Sequence, residues 1–217
     1  MNKNESSPLT RRFFLKRGAR LSILGVTAAA SVPAVAAQSG GARWQPSRHS
    51  EDDWLDQISG QHRFVFDTTS PSGISSALLY ASNYYQGNNS GYGLKDADLA
   101  VVIVARHLST PFAYNASIWT KYGEPLSNFV DRTKEPSKTN PYIRQLDGLV
   151  RRGAHIAVCQ MATRAIAGSI ARSAGASADE IYAEIAANLA GNSHLVPAGI
   201  VLVNRAQERG YSFVYGV

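Results

Sequence analysis

Only one cysteine, Cys159, occurs in the 217 residues. A single thiol cannot close an intramolecular disulfide, and it leaves a thiolate-rich structural zinc centre without its ligands. Charge is also sparse: 18% of residues are Asp, Glu, Lys or Arg, and 9% are aromatic. Together with 44% hydrophobic residues, this excludes a disordered chain, a collagen and a coiled coil. The length suits one domain of ordinary size and is too short for two large ones.

The formal net charge of +6 would suggest a nucleic-acid partner if it were spread along the chain, but it is concentrated at one end. Residues 1–37 carry Lys3, Arg11, Arg12, Lys16, Arg17 and Arg20 against Glu5 alone, and the other 180 residues hold 16 basic and 15 acidic side chains. A body so close to neutral lacks the electrostatic footprint that DNA or RNA binding requires.

The basic end reads as an export signal. Thr10-Arg11-Arg12-Phe13-Phe14-Leu15-Lys16 resembles the twin-arginine pattern. Residues 21–37 follow without charge and end in Ala34-Val35-Ala36, an A-x-A cleavage site. Cleavage near Ala36-Ala37 would leave a periplasmic chain with no membrane segment. The alternative is an uncleaved anchor, although 17 residues rich in Ala, Gly, Ser and Thr are short for a spanning helix.

Residues 38–61 are rich in Ser, Gly and charge, and read as a linker or tether. Beyond them strands and helices alternate. Apolar runs predict strands over 62–67, 99–104, 155–159, 194–196 and 211–215. Helical periodicity predicts helices from Ile74 to the glycines at 87–93, over 143–150, over 161–173, from the capping box Ser177-Ala178-Asp179-Glu180, and from Ala198 to Gly210. Residues 107–139 read as irregular or short helical sequence. The alternation implies a three-layer α/β/α fold on a mostly parallel sheet of about five strands.

In such a sheet, ligands bind outside the carboxyl ends of the strands. That rule gathers Asp67 and Thr68, Arg106 and His107, and Cys159 and Gln160. Cys159 directly precedes a helix, whose free N–H groups favour a thiolate, and Arg106 and His107 would add positive charge. Each residue also has a plainer role: Cys159 a small buried hydrophobe, His107 a loop residue, Arg106 paired with a carboxylate, Asp67 a turn cap. The Thr68–Gly73 turn could hold an anion or simply cap the next helix. His155 and Cys159 lie four apart on one strand, about 13 Å, too far to share a metal ion. No cofactor motif and no general acid–base pair is present.

The chain resembles the DsrE/DsrF-like proteins of sulfur oxidation and sulfur relay. The resemblance rests on Phe64-Val65-Phe66-Asp67 with the helix Ala77-Leu78-Leu79-Tyr80-Ala81, on Gly153-Ala154-His155-Ile156-Ala157-Val158-Cys159, and on Val196-Pro197-Ala198-Gly199 through Ala206-Gln207-Glu208-Arg209-Gly210-Tyr211. It spans roughly residues 62–217, and Arg106-His107-Leu108-Ser109-Thr110-Pro111-Phe112-Ala113 is similar to an exported subgroup. The resemblance implies an α/β/α domain, homo-oligomers (trimers or hexamers) and Cys159 as the sulfur acceptor. Asp67, Arg106, His107 and Gln160 would support it, with protein partners as sulfur donor and acceptor. The competing expectation is a periplasmic small-ligand or protein-binding module with an inert cysteine.

Overall fold

The structure is a computed structural model that describes residues 45–217. The twin-arginine leader lies outside the described residues. Two short turns of helix come first, Ser50–Asp52 and α1 (Trp54–Gln57). They are followed by β1 (His62–Thr68), α2 (Pro71–Tyr92), β2 (Leu99–Ala105), a 3-10 segment His107–Ala113, α3 (Ala116–Val130) and α4 (Ile143–Arg151). The chain closes with β3 (His155–Cys159), α5 (Gln160–Ala174), α6 (Ala178–Ala186), β4 (Ser193–Val196), α7 (Gly199–Glu208) and β5 (Ser212–Tyr215).

The five strands form one parallel sheet in the order β4-β3-β2-β1-β5. The central strand β2 is buried at all seven positions, which is why its sequence is an unbroken apolar run rather than an alternating one. Its side chains divide between the two faces. Val101, Ile103 and Ala105 join Phe66, Ile156 and Val158 under α2 to α6. Ala100, Val102 and Val104 join Val65, Ala157 and Val196 under α1 and α7. Successive steps from β1 to β4 therefore carry their helices on one face. α7 alone returns across the other to place β5 beside β1, as right-handed crossovers dictate. The result is a three-layer α/β/α domain.

Two segments differ from the sequence expectation, and for a third, the end of α2, the structure selects one position within the expected range. The described part of the supposed linker belongs to the same compact unit as the sheet. Leu55 is fully buried, the Leu55 carbonyl accepts from Tyr211 Oη at 2.9 Å and from Arg63 Nη1 at 3.1 Å, and Ile58 is buried too. Its polar composition reflects the outward side of a thin strap with few inward positions. Helix α2 runs through Gly87 and Gly91 and stops at Gly93, whose φ of 68° and N–H to the Asn88 and Asn89 carbonyls make the cap. An exposed glycine weakens a helix by only about 1 kcal/mol, so of the glycines at 87–93 expected to end the helix, the last one does.

Within the stretch expected to be irregular or short helical, residues 107–113 form the 3-10 segment and residues 116–130 a helix of 15 residues, longer than expected. Asn115 Oδ1 caps α3 by accepting from Ser117 N at 3.0 Å and Ile118 N at 3.2 Å. The helix kinks at Tyr122 (φ −117°, ψ 18°). Pro125 accounts for the kink, because it has no N–H for the Lys121 carbonyl and its ring crowds that turn.

Candidate functional site

The sheet has a point where neighbouring strands send their chains to opposite faces. β3 leads into α5 on the five-helix face, and β4, its neighbour, leads toward α7 on the other. A crevice opens between such diverging connections at the carboxyl edge of a parallel sheet. Cys159 is the last residue of β3, the N-cap position of α5, and pairs in register with Val196. Val196 packs in the layer under α7, so the shared register points Cys159 toward that layer as well. The Cys159 carbonyl accepts from Thr163 Oγ1 at 3.0 Å, and the residue is 7% exposed.

Asp67 and Arg106 form the charged part of the edge. Asp67 is 1% exposed, and its two carboxylate oxygens accept from Arg106 Nε and Nη2, each at 2.8 Å. This bidentate geometry fixes the guanidinium plane. The Arg106 guanidinium is pushed above its ordinary value, first by the hydrogen bonds to Asp67 and further by the proximity of Asp67, Tyr215 and Cys159. Arg106 Nη1 makes no hydrogen bond among the described residues. The pair as a whole is neutral, so a thiolate nearby feels an oriented dipole rather than a full positive charge.

The backbone around the pair is held by a buried hydroxyl network. Ser109 Oγ donates within reach of the Thr68 carbonyl at 2.9 Å and the Arg106 carbonyl at 2.8 Å, and accepts from Arg106 N at 3.0 Å. Thr68 Oγ1 donates to the Val104 carbonyl at 2.7 Å. These contacts join the ends of β1 and β2. Gly199, the first residue of α7, lies against the Arg106 stem, and a Cβ there would stand 2.7 Å from Arg106 Cβ. Only glycine lets the α7 N-terminus approach so closely.

Of the residues named from sequence, the structure joins Asp67 and Arg106 by hydrogen bonds, and Cys159 ends a strand at the same edge, near enough to act on the Arg106 charge. His107 is exposed, with a φ of 57°, and makes no hydrogen bond to the cluster. Gln160 turns to α6 instead, where its Nε2 donates to Tyr182 Oη at 2.7 Å. The Thr68–Gly73 turn is occupied with capping: Ser70 Oγ accepts from Gly73 N at 2.9 Å. Two members went unnoticed in the sequence. Tyr215 pairs in register with Asp67 and its hydroxyl bonds Thr69 Oγ1. It comes from the last strand, 148 residues away from Asp67, and no local signal links the two. Gly199 could have been found, because a glycine just after Pro197-Ala198 at a helix start marks close approach. Among the described residues no group of three or more His, Cys, Asp or Glu side chains could hold a metal ion. No helix among them is long and apolar enough to cross a membrane.

Fold and edge together define a parallel three-layer α/β/α domain with a half-buried guanidinium–carboxylate pair beside a strand-terminal thiol. No protein-family model matches the chain, and no curated protein matches it. Among solved structures it is similar to a protein of unknown function, MTH1491 from Methanobacterium thermoautotrophicum. The two share 17% identity over 71% of this chain and 98% of that one, with a TM-score of 0.40. A likeness at that level carries no argument about this chain.

Proposed function

We propose that the chain is an exported, DsrE-like sulfur carrier in which the Cys159 thiol accepts a sulfane sulfur. The observation that carries this reading is the position of Cys159 as the last residue of β3, at the carboxyl edge that also holds the Asp67–Arg106 pair. In the loading step a Cys159 thiolate attacks the outer sulfur of a persulfide or similar donor, R–S–SH. The new S–S bond forms as the donor's own S–S bond breaks, and the electron pair leaves with R–S⁻, which takes up a proton. A thiolate of an acceptor protein then attacks the outer sulfur of the Cys159 persulfide, and Cys159 departs as thiolate. No net oxidant or reductant is consumed.

Arg106 would stabilise the anionic forms of both steps, and Asp67 would hold the guanidinium at a fixed angle rather than leave it free in solvent. The twin-arginine leader supports delivery to the periplasm, and the family resemblance supports a homo-oligomer, a trimer or hexamer. The reading is tested by intact mass of the mature protein after exposure to a sulfane-sulfur donor. A gain of about 32 Da, one sulfur atom held as persulfide, is expected, and it should vanish in Cys159→Ser. An unchanged mass, or an adduct surviving the substitution, overturns it.

One observation favours a second reading. At 7% exposure Cys159 is nearly covered, which suits a binding module whose crevice holds a small ligand or partner while the thiol stays inert. Failure of the native thiol to react with a small thiol reagent, with normal reaction after unfolding, would select that reading.

A further inference from the structure

Away from the Cys159 edge, the strap over residues 45–58 meets the sheet through an arrangement of three rings. His155 at the start of β3 and His194 on β4 face each other, with Nδ1 of the first 2.9 Å from Nε2 of the second. Their centroids are 5.2 Å apart and their planes differ by 22°, so the two rings lie end to end around one short N–H···N bond. Trp54 of α1 covers both. It stacks on His194 at 3.8 Å and 6°, and on His155 at 6.0 Å and 27°. Such a bond needs one imidazole as donor and the other as acceptor. One added proton can sit on the outer nitrogen of the donor ring and leave this bond intact, but with both rings protonated two N–H groups would face each other at a distance that admits one hydrogen.

We propose that residues 45–58 form a strap latched to the sheet by the His155–His194 pair under Trp54, and that protonating both rings releases the strap. Burial holds both imidazoles below their ordinary range, and for His194, pushed down to about 4, the proximity of His155 adds to the effect. The charges on the surrounding elements are engaged elsewhere. In the strap, Asp52 pairs with Arg205 at 3.6 Å, Asp53 with Arg48 at 3.6 Å, and Asp56 with Arg48 at 2.5 Å and Arg209 at 3.1 Å. On α7, Glu208 pairs with Arg205 at 2.9 Å. On β1, Arg63 donates to the Leu55 and Ile58 carbonyls, and His62 is exposed. Ahead of β3, Arg152 is held by Asp96 at 2.8 Å.

Release would change the surroundings of the crevice. The strap residues His49 and Asp52, with Val196, Pro197, Leu202 and Arg205, line a cleft of about 310 Å³, and Val196 is the register partner of Cys159. The inference does not depend on the sulfur chemistry proposed above.

Hydrogen exchange of the full mature chain tests it at pH 7.5 and pH 5.0, with rates corrected for intrinsic exchange. A carboxylate at its ordinary value stays ionised across this window. An imidazole that takes up its proton only when the strap is open shifts the opening equilibrium by up to about 30-fold between ordinary pKa and pH 5.0. Amides of residues 54–58 should therefore lose at least tenfold protection while β2 amides keep theirs. The double variant His155→Phe/His194→Phe preserves a ring for Trp54 and removes both titrating groups, so its strap should show less than a twofold change. The proposal is overturned by unchanged strap protection in the natural chain, by equal loss across the strap and β2, or by a His155→Phe/His194→Phe strap that still responds to pH. The natural-chain comparison decides the matter even if that variant fails to fold.

Discussion

Asp67→Asn isolates the contribution of the guanidinium–carboxylate pair. The substitution keeps the side-chain volume but leaves one acceptor oxygen and turns an NH₂ group toward the Arg106 N–H fork. Both bonds at 2.8 Å are affected, one by loss and one by weakening. Breaking a buried pair costs about 3–5 kcal/mol. The Arg106 side chain is 25% exposed, so water recovers part of its solvation, and the lower end, about 3 kcal/mol, applies. For a domain of this size that is a fall in Tm of about 6–12 °C. Equilibrium denaturation of Asp67→Asn, Arg106→Gln and the double variant would measure it, with a coupling energy of about 2 kcal/mol between the two positions. An Asn variant within about 1 kcal/mol of the natural chain, together with additive effects, would refute the claim that this pair is energetically joined.

Other expectations follow from the same geometry. Leu55→Ala should destabilise the domain by about 2–5 kcal/mol, because Leu55 is fully buried; a neutral result in thermal unfolding would return the strap to the status of a tether. Gly199→Ala should cost about 1–3 kcal/mol, since its methyl would meet the Arg106 stem at 2.7 Å, and it should also slow sulfur loading if Cys159 is the acceptor. Stability should decline as pH falls from the ordinary imidazole value of 6.5 toward about 4, the range over which His194 is kept neutral in the fold. The sign follows from the unfolded state binding the extra proton first. With both rings only half-buried, the loss should be about 1–2 kcal/mol, and a flat stability profile in denaturant across that range would contradict it.

The strands were legible because a parallel sheet buried on both faces writes itself as apolar runs. His155–Cys159 and Leu99–Ala105 stand out from flanking Gly and Arg without reference to any other part of the chain. The helix starts were equally local, since Ser70 and Ser177 each accept from the N–H three residues on. The α3 region was obscured by Gly123, Pro125 and scattered polar residues, whose helical role depends on packing around a kink. The strap was obscured for a related reason: its inward residues Asp52, Trp54, Leu55 and Ile58 follow neither a strand nor a helix period that could be read along the sequence.

From the residues in order came the strand-and-helix alternation, and with it the parallel sheet whose carboxyl edge gathers Asp67, Arg106 and Cys159. These follow from hydrophobic spacing and from chain connectivity, both of which are written along the sequence. Tertiary structure alone decided which members of that edge touch: Arg106 locked to Asp67, Gln160 drawn off to Tyr182, His107 left in solvent. It also brought Trp54 over His155 and His194 from three distant segments. Contacts of that kind depend on the register and on the faces of elements far apart in the chain, and short-range propensity carries no information about either.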